Sequence, residues 1–368
     1  MPSYFPGGKS DSIYENIFYQ NTRGTSGAPK GGSFYYCAPN TYNDGVNFNN
    51  CYAYCTYGYA IGKGGSIFWN GGRVVGVYSS TGDTAARGYG VLLSGGNGSC
   101  WLNNIDFISH YRGIWTVQDS AAGSNREVFL DAACVDSCFI GLHVTDSCYL
   151  SWTDVWAASC DSSCIDVSFT GDGVITLTGG TIFNAGAIGL ISTTARAMSI
   201  NQYGRVDIDG VTVRNNVRGI EVLNSARTLP VNIQGGTFYA NATTDVLFNS
   251  YTNVYDNIFE DPKVIGDSSN TNGSWRIRGN KGINGKWAQP VAGIAAPAWS
   301  GTSYVNNTGF DLEIYLREGS VTSVSCDGNP VLVYTANTPV TGLSVTVPAG
   351  ATLAYVGATA PAMAVLWL

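Results

Sequence analysis

The chain has 368 residues, of which 12% are charged and 47 are glycine, and it carries a formal net charge of −7 from only 19 Lys+Arg. No basic cluster exists to neutralise phosphates, so nucleic acid is excluded as a partner. No apolar run reaches membrane-spanning length, and the opening MPSYFPGGKSDSIYENIF lacks the basic start and apolar core of a signal peptide. The expectation is therefore no membrane insertion and synthesis in a cytoplasm without export by that route. Abundant glycine with few charges suits tight turns and stacked strands better than helices.

Residues 1–30 are rich in Gly, Pro, Ser and Asn apart from an apolar-aromatic stretch at 13–19, and read as a segment that caps the first coil. A solenoid end exposes strand edges and an open apolar core, so it needs such a cover. Residues 31–65 read as irregular first coils rich in Tyr and Asn. From there one sentence repeats: WNGGRVVG (69–76), LNNIDFIS (102–109), LDAACVDS (130–137), LSWTDVWA (150–157), LTGGTIFN (177–184), IDGVTVRN (208–215) and IQGGTFYA (233–240). Each is accompanied by a short second run that opens on a small residue. These runs start at Gly90, Gly113, Gly141, Cys164, Gly189, Gly219 and Asp245, in steps of 23, 28, 23, 25, 30 and 26 residues. Short runs with period-two alternation, no 3.6-residue stripe and a repeat of this size predict a parallel β-helix, from residue 31 to 286.

After Trp287 the pattern changes. AQPVAGIAAPAW leads into strand-like runs separated by glycine-bearing turns, which predict a small C-terminal β-sandwich-like module over 287–368. Its apolar end, Ala364 to Leu368, suggests burial against other subunits. This module reads YVNNTGFDLEIYL (304–316), GSVTSVSCDG (319–328), VTVPAGATLAYV (345–356) and LWL (366–368). Together with the solenoid, that ending resembles bacteriophage tailspikes. The resemblance implies an all-β, right-handed parallel β-helix and a homotrimer carried in the phage tail, assembled in the host cytoplasm beside other phage tail proteins. It also implies a bacterial surface glycan (capsule, O-antigen or exopolysaccharide) as the ligand that the spike binds and cleaves as a glycoside hydrolase or polysaccharide lyase. No virion-attachment domain is recognisable ahead of the solenoid, so attachment would use the first ~30 residues or another protein, unless the chain is a fragment.

The 10 cysteines fit buried or loop thiols better than disulfides or a metal site. Aligning the repeats puts Cys100 and Cys148 in one inward column with Val128, Ile175, Val206 and Val231, where cysteine acts as a small hydrophobe. Cys134, Cys138, Cys160 and Cys164 lie on neighbouring coils and are expected near one another.

Parallel stacking sets equivalent residues ~4.8 Å apart, so outward positions form ladders. The first ladder reads Arg73, Asp106, Cys134, Asp154, Thr181, Thr212, Thr237. It places Asp106 and Asp154 two coils apart with Asp131 between them. That spacing approaches the ~6.5–9.5 Å of inverting glycosidases, although a solvated acidic face would look the same. The second ladder reads Val75, Ile108, Asp136, Trp156, Phe183, Arg214, Tyr239. Its aromatic rings suit sugar C–H faces, with Arg214 and Asp136 as polar partners, or else a subunit interface. The third ladder reads Leu92, Trp115, His143, Asp166, Ile191, Glu221, Leu247. It sets His143 beside Asp166, as acid–base chemistry or a structural hydrogen bond requires, with Glu221 a further carboxylate and Trp115 a sugar contact. The insertions 118–125, 192–204 and 224–230 all follow the second run and are expected to wall a groove beside this ladder. Phosphate-loop and serine-hydrolase signatures are absent, and no cofactor is implied. Two rivals remain: a receptor-binding spike without catalysis, and a non-viral β-helix carbohydrate-active enzyme, which predicts a monomer.

Overall fold

The computed structural model describes residues 3–5, 13–21, 35–37, 45–55, 57–61, 66–76, 78, 88–94, 98–117, 126–169, 171, 173–186, 193–202, 204–223, 229–248, 251–260, 264–265, 276–278, 280–282, 298–306, 312–348 and 350–366. From Ser3 to Gly282 the described chain is a parallel β-helix whose coils present three faces. One coil shows the plan. Arg112–Val117 lies on the third face, Arg126–Asp131 on the first, Cys134–Asp136 on the second, and Ile140–Val144 returns to the third. The third face is an eleven-stranded parallel sheet running from Ser3–Phe5 to Val264–Ile265. Where no break intervenes, a single strand such as Cys148–Ala158 or Val174–Phe183 bends round to serve the first and second faces together.

The bends have a local cause. Among the described residues the corner between the first and second faces is held by a left-handed residue on successive coils: Asn16, Asn50, Gly71, Asn104, Ala132, Asp154, Gly179, Gly210, Gly235 and Asp256, with φ between 46° and 73°. A second such column, Ser109, Ser137, Ser159, Asn184, Asn215 and Ala240, turns the chain from the second face toward the third. Gly, Asn and Asp reach this conformation at least cost, which explains their recurrence there. The small residue that opens each third-face run has a different reason. A Cβ at Gly141 would lie 2.4 Å from the Cys164 carbonyl oxygen, and one at Gly113 would lie 2.6 Å from that of Gly141.

The alternate positions of each run fill the interior. Phe48, Trp69, Leu102, Leu130, Trp152, Leu177, Ile208, Ile233 and Val254 stack coil on coil, each no more than 2% exposed. Toward the later coils the interior turns carry asparagine. Asn216 and Asn241 stack at one corner, and Asn257 donates to Asn280 at 3.0 Å at the other. Their amides also bond backbone carbonyls, such as Ile182 and Val254. Those bonds satisfy buried peptide groups that strand pairing leaves over.

Three sequence expectations need correction. On the coil 148–158 the register is two residues later than the repeat alignment assumes. Trp152, not Leu150, stacks on Leu130 and Leu177, and Leu150 takes the position assigned to Cys148 beside Val128 and Ile175. Cys100 and Cys148 are both buried, but they occupy different columns. The insertion placed at 192–204 contains the third-face strand Arg196–Ile200, which pairs with Ser163–Val167 and Arg218–Val222. The extra chain therefore precedes that strand in sequence, and 118–125 and 224–228 lie outside the described residues. Finally, the described parts of the segment expected to cap the solenoid form its first coil, since Ile13–Glu15 and Phe18–Asn21 pair in parallel with Val46–Cys55.

The C-terminal module is a five-stranded antiparallel sheet folded about its central strand, Leu312–Cys326. That strand breaks register at Glu318 and Gly319, both at positive φ. Its first half pairs with Ala362–Leu366, its second half with Thr352–Thr359, and the 19-residue Asn329–Val347 runs along its other side. Ile314, Leu316, Val321, Val324, Val347 and Leu353 fill the fold. The NNTG and PAG motifs meet here: buried Asn306 donates to the carbonyls of Val347 and Pro348, at 2.7 and 3.1 Å.

The corrected register makes an energetic prediction. Trp152→Ala empties a buried column and is expected to cost about 3–5 kcal/mol. Trp156→Ala, four residues on and outward, is expected to cost less than about 1 kcal/mol. Thermal or denaturant unfolding of the two variants checks this, and equal losses would contradict the register.

Candidate functional site

The third face carries Arg112, His143, Asp166, Arg196, Arg218 and Glu221 on five of its strands. Its outward row reads Leu92, Trp115, His143, Asp166, Ser199, Glu221, Leu247 on consecutive coils. The expected neighbours Trp115, His143 and Asp166 are thus brought together. Ser199 holds the place assigned to Ile191, which lies outside the described residues. A parallel column holds Tyr89, Arg112, Ile140, Ser163, Arg196 and Arg218. Period-two alternation supplies one of these positions per strand and the corner residue supplies the other, so the two columns flank one strip of surface.

Arg112 organises one end of this strip. Its guanidinium lies 4.1 Å from the Trp115 ring centroid and 5.0 Å from that of Tyr111, and its Nε donates to His143 Nδ1 at 2.7 Å. The imidazole proton therefore sits on Nε2, which faces Asp166 Oδ2 at 3.7 Å. Burial, reinforced by the adjacent Arg112 charge, pushes the His143 pKa down to about 4. The ring is a neutral spacer at physiological pH, not the imidazolium that a carboxylate neighbour would favour in water. Asp166 is affected in the opposite sense. Burial raises its pKa, against the Ser199 hydroxyl and the charges of Arg196 and Arg112. A carboxyl held toward its protonated form is suited to donate a proton.

At the other end Glu221 is 1% exposed and bound through both oxygens. Arg196 Nε donates to Oε2, and Arg218 donates to Oε1 at 2.9 Å. The candidate carboxylate Glu221 is thus a buried counter-ion shared by two guanidiniums.

The second face differs from the expected ladders because of the register shift. Its first outward column is Arg73, Asp106, Cys134, Trp156, Thr181, Thr212, Thr237. Asp154 is not in it but in the left-handed corner two residues earlier, so the Asp106–Asp154 carboxylate pair does not form as a ladder. Asp106 is ion-paired with Arg73 at 2.7 Å, and Asp131 stands at the end of the first face opposite Asn103 and Thr153. The second column has Ala158 where Trp156 was expected, between Asp136 and Phe183, followed by Arg214 and Tyr239. Trp156 still meets Phe183 edge-on at 5.2 Å, and Arg214 covers the other side of Phe183 at 4.6 Å. Trp156 is 47% exposed with Ala158 beside it, an open aromatic in the column that begins with Phe18, 64% exposed, on the first coil.

The sequence reading missed an aromatic stack on the first face. Phe68, Trp101 and Phe129 lie on successive coils with centroids 4.5 and 5.4 Å apart and planes within 16°. Their shared position, immediately before the first residue of each repeat, would have revealed them. Because the rings lie face on face, Trp101 spends both faces on its neighbours, and the stack braces coils rather than offering a flat sugar platform.

No family model and no curated protein matches the chain. Among solved structures it is similar to the tailspike protein of Escherichia coli bacteriophage HK620. One tailspike variant shares 12% identity, with 98% of this chain and 74% of that one covered and a TM-score of 0.38. Two further structures of that tailspike, complexes with a hexasaccharide and a pentasaccharide, match at 13% and 14% identity, covering 95% and 96% of this chain and 74% of the other, each with a TM-score of 0.35. Overlap and identity of this size assign neither family nor function, and the site is read from this chain's own residues.

The state of His143 has a measurable consequence. A histidine whose folded pKa lies below its unfolded value near 6.5 stabilises the fold above pH ~6.5, and that contribution is lost as pH falls toward its folded value of about 4. The expected loss is on the order of 3 kcal/mol. With two histidines in the chain, NMR titration of the ring protons resolves His143, identified by its absence in His143→Gln. A midpoint near 4 is expected, and a midpoint at 6.5 or above would contradict the buried arrangement.

Proposed function

We propose that this chain is a tailspike-type protein that binds a bacterial surface polysaccharide along its β-helix and cleaves glycosidic bonds at the third face. The observation that carries the reading is the strip from Arg112 to Arg218. There a carboxyl whose pKa burial raises, Asp166, stands between a neutral imidazole and a hydroxyl, flanked by guanidiniums that can bind sugar oxygens. In this reading Asp166 is the general acid that protonates the leaving glycosidic oxygen, while a water molecule adds to the anomeric carbon and gives up its proton to solvent. Arg112 and His143 position it, and Glu221 holds Arg196 and Arg218 in place.

The chain's assembly belongs to the same proposal: a homotrimer in the phage tail, joined to other tail proteins. The tailspike-like NNTG and PAG segments of the C-terminal module support it, as does its long strand Asn329–Val347. Along its length that strand pairs with Leu312–Cys326, and it exposes Val331 and Val333 at 40% and 67%. An exposed edge of this length is a pairing hazard for a monomer and a ready contact for another copy. Light scattering of the intact protein is expected to give three times the 38.9 kDa chain mass, and a stable monomer would sink the trimer.

A second reading, a spike that binds glycan without cutting it, is favoured by the open Trp156 on the second face. Release of reducing ends from capsular or O-antigen polysaccharide separates the two. Asp166→Asn is expected to lower that release by 10² or more with binding nearly unchanged, while Asp106→Asn and Asp131→Asn keep full activity. Full activity in Asp166→Asn would move the chemistry off the third face. Binding without any release would favour the second reading.

A further inference from the structure

Arg196 and Arg218 are direct partners on adjacent coils, which sets two positive charges ~4.8 Å apart along the stack. One buried carboxylate, Glu221, lies between them, and Arg218 also donates to the Thr193 carbonyl at 3.2 Å. Two guanidinium forks offer about ten N–H donors, far more than these acceptors take among the described residues. Their side chains remain 24% and 29% exposed, whereas that of the counter-ion is 1% exposed. Including Arg112 in the same column, three guanidiniums face two carboxylates along the strip. The local excess is positive on a chain whose net charge is −7. Glu221 offsets one of the two stacked charges, so the pair keeps a net positive charge for a second anion to meet.

We propose that the Arg196–Arg218 pair is a subsite for the carboxylate of an acidic sugar, so that the polysaccharide taken by the third face contains uronic or sialic acid residues. This deepens the glycan-binding reading and rests on it. Guanidinium forks match a carboxylate in a bidentate geometry that a neutral hydroxyl cannot reproduce. Glu221 has a defined task here: it fixes both side chains from beneath without reaching the ligand. Asp166 lies one coil from Ser199 and two from Glu221 in the neighbouring row, so an acidic sugar held by the pair sits within about two sugar-ring lengths of the proposed acid.

The test uses the full chain and polymers of defined charge. Polygalacturonate, hyaluronate and polysialic acid are compared with their carboxyl-reduced forms and with neutral dextran, by biolayer interferometry at low and high salt. At least one acidic polymer is expected to bind ten-fold or more tightly than its carboxyl-reduced form, and to weaken as salt rises. Arg196→Gln or Arg218→Gln is expected to remove that preference in a variant that circular dichroism shows to be folded, at a Tm lowered by the loss of one partner of buried Glu221. The comparison of native with reduced polymer on the unaltered protein stands even where a variant does not fold. Binding of dextran or of reduced polymers equal to that of the acidic ones would overturn the acidic subsite and leave the glycan reading intact. Binding of no polymer in the panel would overturn both.

Discussion

Every coil must turn at the same places, and the rest of the molecule depends on that constraint. Left-handed residues such as Asn104, Ala132 and Asp154 stand at one corner, with Ser109, Ser137 and Ser159 at the next. They set the number of residues between corners, and therefore which side chain meets which on the neighbouring coil. Backbone pairing then repeats at ~4.8 Å whatever the side chains are. A residue in the wrong place cannot relax locally, because shifting it by one would turn the whole run inside out. The interior is the consequence: a column of large apolar residues from Phe48 to Val254, interrupted by asparagines only at corners where peptide groups need partners.

The same regularity concentrates charge. On a globular surface Arg112, Arg196 and Arg218 would be scattered by chain topology, but a solenoid puts them in one column with Asp166 and Glu221 beside them. Partial burial of the strip then pulls neighbouring groups apart. His143 loses its charge because desolvation and Arg112 both oppose it, whereas the Asp166 carboxyl is raised by burial against nearby donors. One environment thus sets a neutral imidazole beside a carboxyl whose pKa is raised, a pairing that two solvated residues would not show.

The aromatic residues separate by geometry, not by number. Phe68, Trp101 and Phe129 face one another and consume their own faces, so they tie coils together. Trp156 is crossed edge-on by Phe183 and keeps an exposed surface beside Ala158. Composition alone counts both groups as exposed aromatics. Only ring orientation divides bracing from binding.

Period-two alternation and a repeat near 25 residues were sufficient to read a parallel β-helix, its inward columns and the adjacency of Trp115, His143 and Asp166, because these follow from strand geometry alone. Alternation is blind to a slip of two, which keeps every side chain on its own face. That is why LSWTDVWA was set two residues early, and why Asp154 entered a ladder it does not occupy. The corner chemistry held the missing signal: starting the repeat at Trp152 puts Asp154 at the left-handed position, whereas starting at Leu150 would put a tryptophan there. The strand Arg196–Ile200 was hidden for another reason. Its run RAMSI opens on Ala197 and Met198 after extra chain, and GLI at 189–191 imitates it closely. Burial and charge pairing belong to the tertiary structure alone. Nothing in the residues near Glu221 in sequence says that two arginines from adjacent coils close over it, since Arg196 is brought there by pairing across 25 residues.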